Sequence, residues 1–135
     1  MNHGSIFAKG LFATLWLMLG CSSPAIAAGA EEQSLLQARL TQAPGQQLSA
    51  LTVTYAPGQS TPPHHHDADA FVYVLSGHIR SQLADGPVKV YGVGQSWFEP
   101  AGTEHRVSGN ASSSEPASML VVFVAKPSAE LMITK

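Results

Sequence analysis

One cysteine, Cys21, is all that 135 residues contain. No internal disulfide is available, so the folded part must hold itself together by its core, even in an oxidising compartment. Basic clusters are missing too. Seven lysines and arginines are scattered among nine acidic residues, and a nucleic-acid surface, which needs a basic footprint, is excluded. No segment after residue 27 keeps a helical period. That rules out a doubly wound α/β fold, whose parallel strands need crossover helices. The one long apolar run, Leu11 to Leu19, falls well short of the roughly 20 residues that cross a bilayer. Repeats and low-complexity tracts are absent.

That apolar run has another use. Lys9 supplies a positive segment before it, and Ser22-Ser23-Pro24 leads to Ala25-Ile26-Ala27, so residues 1–27 read as a bacterial-type export signal. Two processing routes stay open. Cleavage after Ala25-Ile26-Ala27 gives a soluble periplasmic product. Met18-Leu19-Gly20-Cys21 instead resembles a lipoprotein box, in which Cys21 carries lipid and membrane association follows; Met18 is an uncommon lead residue for it, which favours the soluble form. Removal of residues 1–27 takes away Lys9 and no acid, leaving six basic residues against nine acidic ones. The remainder divides into a lead-in (28–47) with an edge strand, one β-domain (48–126) and a C-terminal tail (127–135).

Within the domain, strands are short and turns dense. Leu48 to Tyr55 alternates, with Leu51, Val53 and Tyr55 on one face and Thr52 and Thr54 on the other, the period of a half-buried strand. Phe71 to Leu75, His78 to Leu83, Lys89 to Tyr91, Ser96 to Phe98, His105 to Val107 and Met119 to Val124 follow. Gly-, Pro- and Ser-rich turns separate them, and Asp85-Gly86 is a hairpin signal. Met119 to Val124 is apolar at every position, as expected of a strand covered on both faces. Evenly spaced short strands without helices predict an all-β sandwich or barrel. Asn110-Ala111-Ser112 has the form of a glycosylation acceptor, a coincidence in a chain with a bacterial-type signal.

Three of the six histidines fall together, as His64-His65-His66 after Pro62-Pro63. In an extended chain alternate side chains share a face, so His64 and His66 point one way and His65 the other. That is half of a metal site. Gly94 to His105, a strand and a tight Pro100-Ala101-Gly102 turn, delivers the other half. Neutral imidazole suits iron, zinc, nickel and, with oxygen donors, manganese, so His64, His66 and His105 form a credible ligand set for one divalent transition metal.

These residues resemble the cupin superfamily. Its first motif runs glycine, five residues, His-x-His, three or four residues, glutamate, six residues, glycine; it falls on Gly58, His64, His66 and Gly77, with Ala70 where the glutamate would be. The second, a glycine followed by Pro-x-Gly and a histidine, falls on Gly94, Pro100, Gly102 and His105, with Asn110 one residue late for the pattern's asparagine. From Gly58 to Asn110 the two motifs, with the segment between them, span about half of the chain beyond residue 27. The resemblance implies a small antiparallel β-barrel of jelly-roll type with a metal inside. It also implies a homodimer, which would cover edge strands.

The loss at Ala70 leaves two outcomes: a three-histidine site, or a carboxylate recruited from Asp67, Asp69 or Glu99. Glu99 is favoured, as fourth ligand or as acid/base, because it precedes the Pro100 turn on the strand leading to His105. Asp69 has the wrong strand parity. A small barrel holds one small ligand or substrate at most, and Tyr73, Arg80, Gln82, Tyr91 and Trp97 are placed to line it. An inward Arg80 would call for a carboxylate or phenolate ligand; an outward one is an ordinary solvated charge. Two functions compete: a metal-dependent enzyme of dioxygenase-like type acting on a small oxygenated or aromatic molecule, with isomerase or lyase chemistry as its variant, and a non-catalytic module that binds a metal or small ligand.

Overall fold

The computed structural model describes Met1 and residues 29–134. The expected export signal, with its alternative cleavage sites, lies outside the described residues.

Eleven strands run through them: β1 (Glu31–Arg39), β2 (Gln47–Tyr55), β3 (Ser60–Thr61), β4 (His64–His65), β5 (Asp69–Ser76), β6 (His78–Leu83), β7 (Lys89–Gly92), β8 (Ser96–Glu99), β9 (His105–Asn110), β10 (Ala117–Ala125) and β11 (Ile133–Thr134). Every pairing is antiparallel, and no helix occurs among the described residues. One sheet has the order β1-β2-β10-β5-β8; the other has the order β11-β4-β9-β6-β7, with β3 beside β9. The all-β, antiparallel expectation holds. The barrel resolves, among the described residues, into two sheets rather than a closed cylinder.

The core lies between these sheets, and side-chain alternation explains it. On β10, Ala117, Met119, Val121, Phe123 and Ala125 are buried, while the residues between them are half-buried. Val53 and Tyr55 from β2, Ala68 just before β5, Ala70, Val72 and Val74 from β5, Ile79 from β6 and Trp97 from β8 complete the cluster. The expectation that β10 is covered on both faces is thus corrected. It is central in its sheet, but among the described residues no layer lies over its outer side, where its own side chains are half-buried and Phe71, Tyr73, Leu75 and Phe98 are exposed.

Turn chemistry sets how the strands enter the interior. The four glycines of the two motif patterns, Gly58, Gly77, Gly94 and Gly102, all have positive φ, between 66° and 83°, a region that costs a Cβ-bearing residue about 1–2 kcal/mol. The Gly102 N–H donates to the His66 carbonyl at 2.8 Å, so the second motif's turn is tied to the first motif's backbone. Asn110 is buried: its amide donates to the carbonyls of Ala56 and Glu115 and its oxygen accepts from the Ser112 N–H. It clamps the end of β9 to two loops.

Candidate metal centre

Two cross-strand pairs build the site. His64 on β4 stands directly opposite His105 on β9. In the other sheet Ala70 on β5 stands opposite Glu99 on β8. His66 follows β4 with the parity of His64, and all three imidazoles are buried. Their ligating nitrogens lie within 4.8 Å of one another, a group that could hold a metal ion. The His64 ring centroid is 4.9 Å from that of His66 and 5.1 Å from that of His105. His65 is half-buried on the opposite side.

Each ring is held from behind. His64 Nδ1 lies 2.7 Å from the Pro62 carbonyl, and His66 Nδ1 contacts the Leu131 carbonyl. A carbonyl only accepts, so each of these nitrogens carries a proton, and in the neutral ring each Nε2 keeps its lone pair for a ligand. His105 sets Nε2 2.8 Å from Ser81 Oγ and turns Nδ1 toward Glu99.

Glu99 is 2% exposed. Its Oε1 accepts a 2.7 Å hydrogen bond from the Trp97 indole N–H and lies 3.3 Å from His105 Nδ1. Its Oε2 lies 3.4 Å from His66 Nε2, long for a hydrogen bond, and accepts none. A buried carboxylate oxygen left without a donor costs about 1–3 kcal/mol or more. That oxygen can be met by a bound cation or by a proton on the neighbouring His66 Nε2. The donor set fits a divalent transition metal bound by imidazole and carboxylate.

The electrostatics follow from burial and neighbours. Burial alone would raise the Glu99 pKa, but His105, His66 and Trp97 outweigh it and hold the carboxylate ionised, well below its ordinary range. Burial lowers the His64 pKa, favouring the neutral ring that ligates metal. At His66 burial pulls the same way, yet Glu99 and the Leu131 carbonyl raise it above the ordinary value.

A cavity of about 130 Å³ opens beside the cluster. His64, His66 and Glu99 form its polar end, with Tyr55 and Thr61 next to them. The Tyr55 hydroxyl is 2.5 Å from Thr61 Oγ1 and 2.9 Å from Ser108 Oγ, and burial raises its pKa.

The other residues expected near the ligand divide. Trp97 is buried on the face it shares with Glu99, stacked on Tyr91 at 4.4 Å, and acts on the site through Glu99. Tyr73 does not line the cavity: it is exposed on the outer face of β5, because Ala70, Val72 and Val74 take the inner parity. Arg80 is likewise exposed, between the buried Ile79 and Ser81, so it is the solvated charge of the two alternatives. Gln82 is half-buried and donates to the Gly86 carbonyl, bracing the hairpin turn. Asp69 is exposed and accepts from the Ala101 N–H at 3.0 Å, and Asp67 is also exposed. Neither replaces the motif carboxylate.

Three contributors escape sequence reasoning. Alternation puts Tyr55 on the inner face of β2 but assigns it no role. Leu131 and Glu32, from the expected tail and lead-in, both line the cavity, and no local pattern marks either.

Two facing antiparallel sheets with three buried histidines that could hold a metal ion, beside a small cavity, define the class of β-fold. The family model described as Cupin domain matches residues 51–123, and the chain belongs to the cupin family. No curated protein matches the sequence. Among solved structures, the DMSP lyase DddQ from Ruegeria pomeroyi DSS-3 superposes with a TM-score of 0.66 at 19% identity, over 84% of this chain and 55% of that one. Oxalate decarboxylase from Bacillus subtilis gives 0.62 at 21% identity, over 78% of this chain and 28% of that one. An RmlC-like cupin from Shewanella frigidimarina NCIMB 400 gives 0.57 at 22%, over 76% and 82%. The chain spans about half the length of the lyase. At these identities the likeness is one of fold.

Proposed function

We propose that this chain is a metal-binding cupin acting as a metal-dependent enzyme of dioxygenase-like type on a small oxygenated or aromatic molecule. The observation that carries the reading is the unpartnered Oε2 of buried Glu99 among three buried imidazoles, at the polar end of the cavity. His64 and His66 would hold the ion through Nε2, and His105 would be the third ligand, with Glu99 beside them. Bound there, iron, manganese, zinc or nickel would supply a Lewis acid and, if iron, a redox centre for substrate and dioxygen.

The chain's own groups do the rest. The carbonyls of Pro62 and Leu131 fix ring orientation, and the Trp97 N–H fixes Glu99 Oε1. Glu99 Oε2 is then free to ligate, or to accept a proton from a molecule in the cavity. The same reading includes export to the periplasm, soluble or anchored at Cys21, and a homodimeric state.

The test is elemental analysis of protein purified without chelator or added metal, beside His64→Ala and His105→Ala, followed by oxygen-consumption assays with phenolic and diketone substrates. One ion per chain, lost in both variants, with oxygen uptake that needs the ion, is expected. No ion in the wild type, and none taken up on titration, would overturn the reading. Ala70, where the first motif has its glutamate, favours a second one: a module that holds a metal or ligand without turnover. A stoichiometric ion with no consumption of oxygen or substrate selects it.

A further inference from the structure

We propose that the cavity selects molecules without negative charge, having an apolar body of about benzene size and a cationic or hydrogen-bond-donating head turned toward Glu32. The proposal rests on the reading of the site as one that holds a small molecule, and it names that molecule's class.

Size comes first. A cavity of about 130 Å³ is close to the roughly 150 Å³ that accepts benzene in an engineered core. Its walls are Leu51, Val53, Val72, Val121, Phe123 and Leu131, which favour an apolar body and offer the edge or face of one aromatic ring.

Charge comes second. The ionisable side chains on the wall other than histidine and tyrosine are two carboxylates, Glu99 at the inner end and Glu32. Glu32 stands opposite Val53 in the β1–β2 register, which places it on the inner face of that sheet, yet it is exposed, at the solvent side of the cavity. Its negative charge is felt at both His66 and Tyr55. Among the described residues no arginine or lysine lines the space. Arg80 and Arg106 flank a separate groove with Pro62 and Pro63. In the metal-free chain, a carboxylate leaving water to enter would face Glu32 and Glu99 without a guanidinium or ammonium to replace its hydration. An ammonium or hydroxyl head would meet an acceptor.

The test uses the full-length protein, chelator-treated and zinc-loaded, as wild type and Glu32→Gln, with three near-isosteric probes: benzylamine, benzyl alcohol and benzoate. Binding is read by ligand-observed NMR titration near neutral pH. In chelator-treated wild type, benzylamine and benzyl alcohol are expected to bind at least fivefold more tightly than benzoate. Glu32→Gln should narrow the benzylamine-to-benzoate ratio at least threefold. Glu32 is exposed, so the variant keeps the fold.

Benzoate binding as tightly as the other two in wild type overturns the proposal, as does an unchanged ratio in Glu32→Gln, or no binding of any probe. Zinc content is measured on the same samples. Protein that takes up no zinc yet keeps the charge preference removes the metal-centre reading and supports this one. Protein that takes up zinc and prefers benzoate does the reverse.

Discussion

Glu99 stays ionised inside the protein because Trp97 and two imidazoles reach it, and it stands across from Ala70, the position where the first cupin motif has its carboxylate. Opposite residues of an antiparallel pair have Cβ atoms about 4.5–5.5 Å apart. A carboxylate can therefore be supplied from either strand to nearly the same point. Glu99→Ala should lower zinc affinity about 10- to 100-fold, the range for partners that tune a metal site, as read by competition with a chromophoric chelator. Ala70→Glu in the Glu99→Ala background should restore most of it. Failure of that restoration, in a protein that still folds, would show that the role depends on Trp97 and not on position alone.

Tyr55, 1% exposed, makes a second prediction at this scale. Tyr55→Phe leaves the buried Ser108 hydroxyl without its phenol partner and should cost about 1–2 kcal/mol at neutral pH. Burial raises the folded-state pKa above 10.0. The phenol therefore contributes its stability in full below pH 10, and that share is lost as pH rises through the folded pKa, because the unfolded chain ionises first. Urea unfolding from pH 8 to 11 should show a steeper alkaline decline in wild type than in Tyr55→Phe.

Among the elements, Gly77 shows how a turn residue controls the strands on either side. It joins β5 to β6 at φ +66°, and a Cβ there would lie 2.6 Å from the Pro116 carbonyl oxygen and 2.9 Å from Ala117 Cα. Neither backbone atom can yield without moving β10. Gly77→Ala should cost about 2–4 kcal/mol, adding left-handed strain to overpacking, measured as a lower urea midpoint with unchanged slope. Elements of this kind are legible in the residue pattern alone. The spacing of glycines and of Pro100 marks turns, strand parity puts His64 with His66 and Trp97 with Glu99, and the run His78–Leu83 predicts β6 with the bounds it has. Legibility fails where both faces of a strand are apolar. Phe71-Val72-Tyr73-Val74-Leu75 carries no polar alternate to say which parity is inside, so the pattern alone does not turn Tyr73 outward. It fails also for β11, whose two residues pair with β4 only because the chain returns there. The Leu131 carbonyl behind His66 comes from that return, over 65 residues of separation.

At the scale of the whole molecule, the apolar outer face of the five-stranded sheet asks for a partner. Cross-strand register places Leu36, Ala50, Val122, Phe71 and Phe98 in one row that crosses all five strands. Phe71 is 44% and Phe98 55% exposed, with Tyr73 and Leu75 beside them. Rows of this kind on a monomer are rare beyond a few hundred Å² and mark an interface. Aromatic residues without charge suit the centre of one. A second copy meets the requirement, since an isologous contact sets the same row against itself. The histidine cluster lies on the opposite side of this sheet, so the interface and the site can be separated by mutation. Phe98→Glu, alone or with Phe71→Glu, should convert a dimer to a monomer in size-exclusion chromatography with light scattering, while zinc per chain stays at the wild-type value. Val72 and Trp97, the inward neighbours of Phe71 and Phe98, remain in place to pack the core. A wild type that runs as a monomer at micromolar concentration would leave the face without its proposed occupant. A variant that loses zinc together with the dimer would mean that the sheet needs its partner to hold Glu99 against the histidines.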